Sequence, residues 1–250
     1  MASGKRLSSI SIFFPFYNEE ANIQQVAQAA LRIAPTIADR FEILLVNDGS
    51  RDATGAIADR LAATHPEIRA LHNRPNRGYG GAVRRGLEEA RMDWVFFSDG
   101  DGQFDLAELP KLIALLTDAD MAVGYRIDRA DPLPRRLNAF CWGALVRALF
   151  GIRVRDIDCA FKLIPRRLID AVTLESDGAM ISTELLAKAT YRGLRIREVG
   201  VHHYPRTAGE QTGANVRVII KAFRELFALH GRIRRDAGST PASRTAALRG

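Results

Sequence analysis

The sequence predicts an α/β protein built on a mostly parallel sheet with helices on its faces. Strand-like apolar runs alternate with helical patterns through the first half of the chain, which is typical of β-α-β units. The runs 41-FEILLV-46 and 94-WVFF-97 are continuously apolar, as in parallel strands that are buried on both faces. Hydrophobic residues make up 47% of the 250 residues, enough for a sizeable core.

The elements of the first half follow from these patterns. The predicted strands are rich in β-branched and aromatic residues and cover Ser9–Phe14, Phe41–Val46, Ile68–His72, Trp94–Phe97 and Met121–Val123. The predicted helices have apolar residues at helical spacing and cover Glu19–Ile33, Asp52–Ala63, Ala82–Arg91 and Leu106–Leu116.

The second half is less regular. A charged, proline-containing loop is predicted at Asp128–Arg136, and strands at Phe161–Ile164 and Arg195–Val201. Predicted helices cover Leu137–Phe150, Ile181–Tyr191 and Asn215–His230. We expect residues 1–230 to form one domain and residues 231–250 to form a basic, disordered tail.

The net charge of +7 and the pI of about 9.8 come almost entirely from arginine. Such a balance suits anionic partners, namely phosphates, acidic lipid headgroups or nucleic acid. No helix-turn-helix, RNP or zinc signature accompanies it, so a basic nucleic-acid-binding protein is a remote alternative. The only cysteines, Cys141 and Cys159, offer neither a disulfide framework nor a zinc spacing, which favours a reducing cytoplasm.

The N-terminal stretch MASGKRLSSI lacks the apolar core of a signal peptide. The longest apolar runs are shorter than the roughly 20 residues that a membrane-spanning helix needs. We therefore expect a cytoplasmic protein which, if it works at a membrane, lies on its cytoplasmic face.

Polar clusters follow three predicted strands: 15-PFYNEE-20, 47-NDGSRD-52 and 98-SDGDGQ-103. Ligands of open α/β sheets bind beyond the carboxyl ends of the strands. Each cluster alone is also compatible with turn and helix-capping chemistry. Three clusters at one edge of one sheet favour a shared site.

Asp99 and Asp101 are the most informative pair, because residues two apart in extended backbone point to the same side. Converging carboxylates repel each other unless a cation joins them, and hard cations such as Mg²⁺ or Mn²⁺ prefer oxygen ligands. Gln103 adds an amide oxygen at the same end. The pattern predicts a divalent cation carrying a diphosphate. The glycine-rich segment 73-NRPNRGYGGAVRRG-86 is either an anion-binding helix N-terminus or a plain turn.

An ordered series of motifs carries a family resemblance. It consists of P-x-Y-N-E at 15–19, V-N-D-G-S at 46–50, N-R-G-x-G-G-A at 76–82 and D-x-D-x-Q at 99–103. Further matches are 124-GYR-126, 156-DIDCAFKLI-164 and 202-HHYPRTAG-209. Over residues 8–230 the chain resembles the inverting family 2 glycosyltransferases, and among them the dolichyl- or polyprenyl-phosphate sugar (mannose) synthases.

The resemblance implies a glycosyltransferase A-type fold and a set of nucleotide-binding residues. Pro15, Tyr17 and Glu19 would line the base pocket. Asp48 would contact the base or the ribose, and Asp99 the ribose–diphosphate side. The donor implied is a GDP- or UDP-sugar; Thr212 stands where mannose synthases carry a lysine, so both bases stay open.

The same resemblance implies the catalytic set, which is Asp99, Asp101, Arg126, Asp156 and Arg206. Asp101 and Gln103 would ligate Mg²⁺ or Mn²⁺. The two arginines would hold phosphates of the donor or the acceptor, and Asp156 would shape the acceptor side. The implied partners are a polyprenyl phosphate acceptor and a membrane surface or membrane partner subunit, with no nucleic acid.

Alternatives remain for the acceptor. An ionised lipid phosphate needs no strong general base, whereas a hydroxyl acceptor needs a carboxylate in reach, and Asp158 and Glu184 are the candidates. For Glu184 we favour a cap or pair within its helix. A non-catalytic nucleotide-sugar binder would not need the complete D-x-D-x-Q.

Two further features have a functional and a structural interpretation. The helix Asn215–His230 is either an interfacial helix on an anionic membrane or a helix packed on the sheet with a basic rim. The pair His202–His203 could in principle mark a second metal site.

Overall fold

The computed structural model describes residues 5–127, 133–205 and 225–233, with residues 133–141 given by their backbone. Seven strands form one sheet in the order β3-β2-β1-β4-β6-β5-β7. In chain order they are β1 Leu7–Phe16, β2 Ala38–Asn47, β3 Ile68–His72, β4 Trp94–Phe97, β5 Met121–Ile127, β6 Lys162–Pro165 and β7 Ile196–His202. Among the strands of the described residues, only β6 runs antiparallel to its neighbours, β4 and β5. The expected mostly parallel α/β sheet is confirmed.

Seven α-helices of the described chain flank this sheet. They are α1 Ile23–Ile37, α2 Thr54–Thr64, α3 Gly78–Glu89, α4 Leu109–Leu115, α5 Leu133–Phe150, α6 Arg166–Ala171 and α7 Met180–Tyr191. A short 3₁₀ turn, Leu106–Glu108, precedes α4. Residues 225–233 are also helical.

The sheet is buried on both faces around β1 and β4. Phe13 and Phe97 are fully buried, and their rings stack with centroids 5.4 Å apart. Helix α3 packs closely on this layer, because a Cβ on Gly86 would lie 2.2 Å from the Phe13 ring. The apolar residues 43–46 and 95–97 of the two continuous runs are likewise fully buried, as predicted.

Several boundaries differ from the sequence prediction. Helix α3 begins at Gly78 rather than Ala82, so the glycine-rich segment is the first turn of the helix. Helix α5 begins inside the predicted loop Asp128–Arg136. The six-residue α6 was not predicted, because one and a half turns carry too little periodicity.

The predicted helix Asn215–His230 lies mostly outside the described residues. Its last part is helical, and the helix continues to residue 233, three residues into the predicted tail. The division into one domain and a tail stays a prediction.

Candidate functional site

The parallel register brings the three polar clusters to one edge of the sheet. Strand β1 lies between β2 and β4, with Phe16 opposite Asn47 and Phe13 opposite Phe97. The carboxyl ends of all three strands therefore meet. A cleft of about 320 Å³ opens there, lined by Pro15, Phe16, Tyr17, Asp48, Asn76, Gly78, Tyr79 and Ala82.

Three of the five predicted nucleotide-binding residues, Pro15, Tyr17 and Asp48, line this cleft. Tyr17 is 47% exposed, so its ring offers a free aromatic face. Such faces stack on nucleobases. The cleft thus presents an aromatic side chain to a planar ligand.

Glu19 is not among the residues that line the cleft, and its expected role in the base pocket stays a prediction. It is buried, and its Oε2 accepts a hydrogen bond from Asn22 Nδ2 at 2.6 Å. Its backbone N–H donates to Thr54 Oγ1 at 2.9 Å. Glu19 therefore holds the approach to α1 against the start of α2.

Asp48 holds the glycine-rich segment over the cleft. Its Oδ1 accepts hydrogen bonds from Asn73 Nδ2 at 2.8 Å and from the backbone N–H of Arg77 at 2.9 Å. Its carbonyl oxygen accepts from Asn76 Nδ2 at 2.6 Å. One buried carboxylate thus both lines the cleft and fixes the loop that covers it.

Other members of the first two clusters perform turn and cap chemistry. Asn47 Oδ1 accepts from the backbone N–H of Ser50 at 3.0 Å, and Asp52 Oδ1 accepts from the N–H and the hydroxyl of Thr54 at 3.0 and 2.6 Å. Glu20 Oε2 accepts from the N–H of Ala53 at 2.8 Å. For these residues the structural interpretation holds.

Asp99 and Asp101 form the acidic loop after β4. Burial, and next the charge of Asp101, raise the pKa of Asp99 to about 6, against the opposing effect of a hydrogen bond from Tyr79. That bond runs from the Tyr79 hydroxyl to Asp99 Oδ1 at 3.0 Å. Gly100 is required here, because a Cβ would lie 2.4 Å from the Phe16 ring. The two carboxylates are thus held close enough to repel each other.

Gln103 joins the acidic loop to the end of β7. Its side-chain Nε2 donates to the backbone carbonyl of Tyr204 at 2.7 Å. The backbone carbonyl of Gln103 accepts from the Tyr204 N–H at 2.8 Å. Its backbone N–H also donates to Asp101 Oδ1 at 3.1 Å. With the amide nitrogen engaged, the side-chain oxygen is the atom that Gln103 can offer to a cation.

The acidic loop fits a divalent cation that a substrate helps to bind. Among the described residues no group of three or more His, Cys, Asp and Glu side chains is placed to hold a metal ion by itself. Mg²⁺ is usually bound by one or two carboxylates together with phosphate oxygens and water. The Asp101 carboxylate and the Gln103 amide oxygen match that incomplete donor set.

The N-terminus of α3 is already occupied by the protein. The N–H groups of Arg77, Gly78 and Gly80 donate to Asp48 Oδ1, Asn76 Oδ1 and the Asp177 carbonyl at 2.9, 2.9 and 2.8 Å. These three donors are not open to an anion, which favours the plain-turn interpretation.

Arg126 and Asp156 were expected in separate roles, yet the structure joins them. Arg126 Nε and Nη2 donate to the two carboxylate oxygens of Asp156 at 2.7 and 2.8 Å. Burial opposes the charged guanidinium, but the hydrogen bonds and charge of Asp156 outweigh it and raise the pKa of Arg126. The Arg126 fork thus faces Asp156, and its expected role in holding a phosphate stays a prediction. Arg206 lies outside the described residues, as does Thr212.

Lys162 is a buried cation that the sequence analysis did not single out. Its ammonium donates to the carbonyls of Ile157 and Cys159 and to Ser182 Oγ. Burial lowers its pKa. Lys162 therefore connects the loop that contains Asp156 to α7. In the sequence, its buried position was indicated by a lone lysine inside the apolar run 161-FKLI-164.

The two candidate general bases, Asp158 and Glu184, differ in exposure and in hydrogen-bond partners. Asp158 is exposed. Glu184 is fully buried, pairs with Lys188 Nζ at 2.8 Å, and accepts from the N–H groups of Glu175 and Ser176. Burial opposes its ionisation, but these partners outweigh it and lower the pKa of Glu184. The favoured structural role of Glu184 is confirmed.

The pair His202–His203 is engaged elsewhere. His202 Nδ1 lies 2.8 Å from Glu108 Oε1, and the ring of His203 packs edge-on against Phe104 with centroids 4.8 Å apart. The two side chains contact different partners, which gives no support to a shared metal.

Comparison with known proteins places the chain in a family. The family model described as Glycosyl transferase family 2 matches residues 11–173. The glycosyltransferase AglD of Haloferax volcanii is 32% identical over 79% of this chain and 33% of its own length. An undecaprenyl-phosphate 4-deoxy-4-formamido-L-arabinose transferase of Shewanella sediminis is 30% identical, over 84% and 63%. The polyprenol monophosphomannose synthase of Mycolicibacterium smegmatis is 27% identical, over 91% and 89%.

The chain spans a third of the length of AglD and less than two thirds of the Shewanella transferase. Among solved structures, glucosyl-3-phosphoglycerate synthase of Mycobacterium tuberculosis, in complex with Mn²⁺, UDP and glucosyl-3-phosphoglycerate, superposes with a TM-score of 0.68. It is 21% identical and covers 94% of this chain and 82% of its own. The chain has the glycosyltransferase A-type fold and belongs to glycosyl transferase family 2.

Proposed function

We propose that this chain transfers a sugar, with inversion, from a nucleoside diphosphate sugar to a polyprenyl phosphate. The observation that carries the proposal is the cleft at the β1, β2 and β4 ends, with aromatic walls beside the Asp99–Asp101 pair. Two relatives add support, since one is an undecaprenyl-phosphate sugar transferase and the other a polyprenol monophosphomannose synthase. GDP and UDP both remain candidates for the donor base.

In this proposal the cleft residues bind the donor. Pro15 and Tyr17 contact the base, Asp48 the base or ribose, and Asp99 the ribose side. Asp101 and Gln103 would hold Mg²⁺ or Mn²⁺, which when bound would neutralise charge on the leaving diphosphate. The solved glycosyltransferase with a similar fold was crystallised with Mn²⁺ and UDP, which supports this assignment.

The acceptor side is proposed around Asp156. Its bidentate bond to Arg126 fixes both side chains, so Arg126 acts by shaping the pocket and by its positive charge at short range. Arg206 is proposed for phosphate binding. A lipid phosphate is ionised near neutral pH and displaces the diphosphate without a strong general base, which agrees with the engaged Glu184.

A hydroxyl acceptor is the second candidate, and the exposed carboxylate of Asp158 favours it. Asp158 is close enough to raise the pKa of Tyr79, after burial and Asp99. It is therefore near the donor cleft, where a general base would be required.

No helix of the described residues is long and apolar enough to cross a membrane. We propose peripheral attachment at the cytoplasmic face, directly or through a membrane partner subunit, because the proposed acceptor is a lipid. Phe227 supports this, since it is 56% exposed in the helical segment 225–233.

The test is donor consumption with detergent-dispersed polyprenyl phosphate, Mn²⁺ and a panel of GDP- and UDP-sugars. We expect one donor to be consumed only with lipid phosphate and metal, and Asp101→Ala to abolish turnover. Asp118→Ala is the matched control, because Asp118 is an exposed aspartate before the amino end of β5, whereas the site lies at the carboxyl ends of the strands. Turnover with hydroxyl acceptors alone would favour the second candidate.

A further inference from the structure

Tyr79 connects the cleft to the acidic loop. It is the second residue of α3 and lines the cleft with its ring. Its hydroxyl donates to Asp99 Oδ1 at 3.0 Å. One side chain therefore contacts the space for the base and a carboxylate beside it.

The backbone on both sides of Tyr79 is fixed. Gly78 has φ +75°, which favours glycine, and its N–H donates to Asn76 Oδ1. Gly80 donates to the Asp177 carbonyl, and a Cβ there would lie 2.5 Å from the Ser176 carbonyl oxygen. The first turn of α3 cannot shift without breaking these contacts, so the position of Tyr79 is set by its neighbours.

The hydroxyl of Tyr79 stays a donor. A tyrosine hydroxyl has an ordinary pKa of about 10, so the phenol keeps its proton near neutral pH. With Oδ1 of Asp99 engaged, Oδ2 is the oxygen left to accept a hydrogen bond from a ligand. A ribose hydroxyl is the group that the proposed donor would present.

We propose that Tyr79 is a positioning residue of the donor site, whose hydroxyl orients Asp99 toward the ribose of a nucleoside diphosphate while its ring closes the cleft beside the base. This inference rests on the proposed function. Tyr79 is 37% exposed, so part of the side chain is accessible for stacking.

The first experiment measures the Kd of UDP and of GDP with Mn²⁺ by calorimetry. Tyr79→Phe keeps the ring and removes the hydroxyl, and we expect about tenfold weaker binding of the preferred nucleotide. Tyr79→Leu also removes the aromatic face, and we expect about a further tenfold loss. Tyr191→Phe is the matched control, because Tyr191 is 39% exposed at the far end of α7, and its Kd should equal that of the wild type.

The second experiment repeats the titration with the 2′,3′-dideoxy form of the preferred nucleotide. The wild type should favour the ribose form, and Tyr79→Phe should lose most of that preference, because Asp99 is no longer oriented. Equal weakening of both nucleotides would indicate a merely structural role and overturn the inference, as would a wild type without ribose preference.

The outcomes separate the inference from the proposed function. If the wild type binds a nucleotide and Tyr79→Phe binds it as tightly as Tyr191→Phe does, the inference is overturned and the proposed function stands. If the wild type binds neither UDP nor GDP, both are overturned.

Discussion

Gly100 tests whether the position of the acidic loop sets activity. A Cβ at this residue would lie 2.4 Å from the Phe16 ring and 2.8 Å from the Pro15 carbonyl oxygen. Ordinary contact begins at 3.4 Å, so Gly100→Ala must displace the loop or the ring by about 1 Å. Overpacking of this kind costs about 1–3 kcal/mol, which lowers the Tm of a chain of this size by about 3–10 °C.

The same displacement should reduce turnover more than stability. A misplacement of about 1 Å at a reacting site can cost about 100-fold in rate, and Asp99 and Asp101 flank the substituted residue. The assay is the kcat/KM of donor consumption per folded molecule, together with thermal unfolding. Gly178→Ala is the control, because its Cβ would meet nothing within 4 Å. Unchanged kcat/KM in Gly100→Ala, at any Tm, would refute the reasoning.

Three further predictions concern the charges of the site. Arg126→Lys cannot reproduce the bidentate bond to Asp156, so the free energy of unfolding measured in urea should fall by about 2–4 kcal/mol. If the losses caused by Arg126→Lys and by Asp156→Asn simply add in the double variant, the two residues do not form a direct pair. Because the folded-state pKa of Asp99 is raised to about 6, its contribution to the stability of the ligand-free protein is greatest below pH 4 and is lost as pH rises through 6. Binding of the metal and nucleotide needs the ionised carboxylate of Asp99, so the Kd should rise by up to about tenfold for each pH unit below 6. A Kd that stays constant from pH 5 to 7.5 would contradict this. Glu184→Gln should lower the free energy of unfolding by about 3 kcal/mol while preserving turnover per folded molecule. A loss of turnover without a loss of stability would instead indicate that Glu184 is a general base.

The central sheet was predictable because its signals are local. Trp94–Phe97 and Ile68–His72 were predicted with the observed bounds. The first is a short apolar run between polar breaks, and the second alternates apolar and polar residues. The antiparallel β6 was not distinguishable from a parallel strand, because four buried residues carry no directional information. Register then explains why three distant polar clusters meet at one edge.

The sequence did not predict which residues of those clusters line the cleft and which make structural hydrogen bonds. Asp48 and Asp52 belong to one short motif, yet only Asp48 lines the cleft, while Asp52 bonds Thr54. The pairing of Arg126 with Asp156 joins residues 30 positions apart, which no local pattern reveals. Motif identity indicated the site, and side-chain geometry was needed to assign each residue within it.

The most direct test of the account is calorimetric titration of UDP and GDP into the wild type and Asp101→Ala, with and without Mn²⁺. The account predicts binding of one nucleotide that requires Mn²⁺ in the wild type, is lost in Asp101→Ala and is retained in Asp118→Ala. Binding that is equally tight without metal or without the Asp101 carboxylate would contradict the central claim that this cleft and its acidic loop form one donor site.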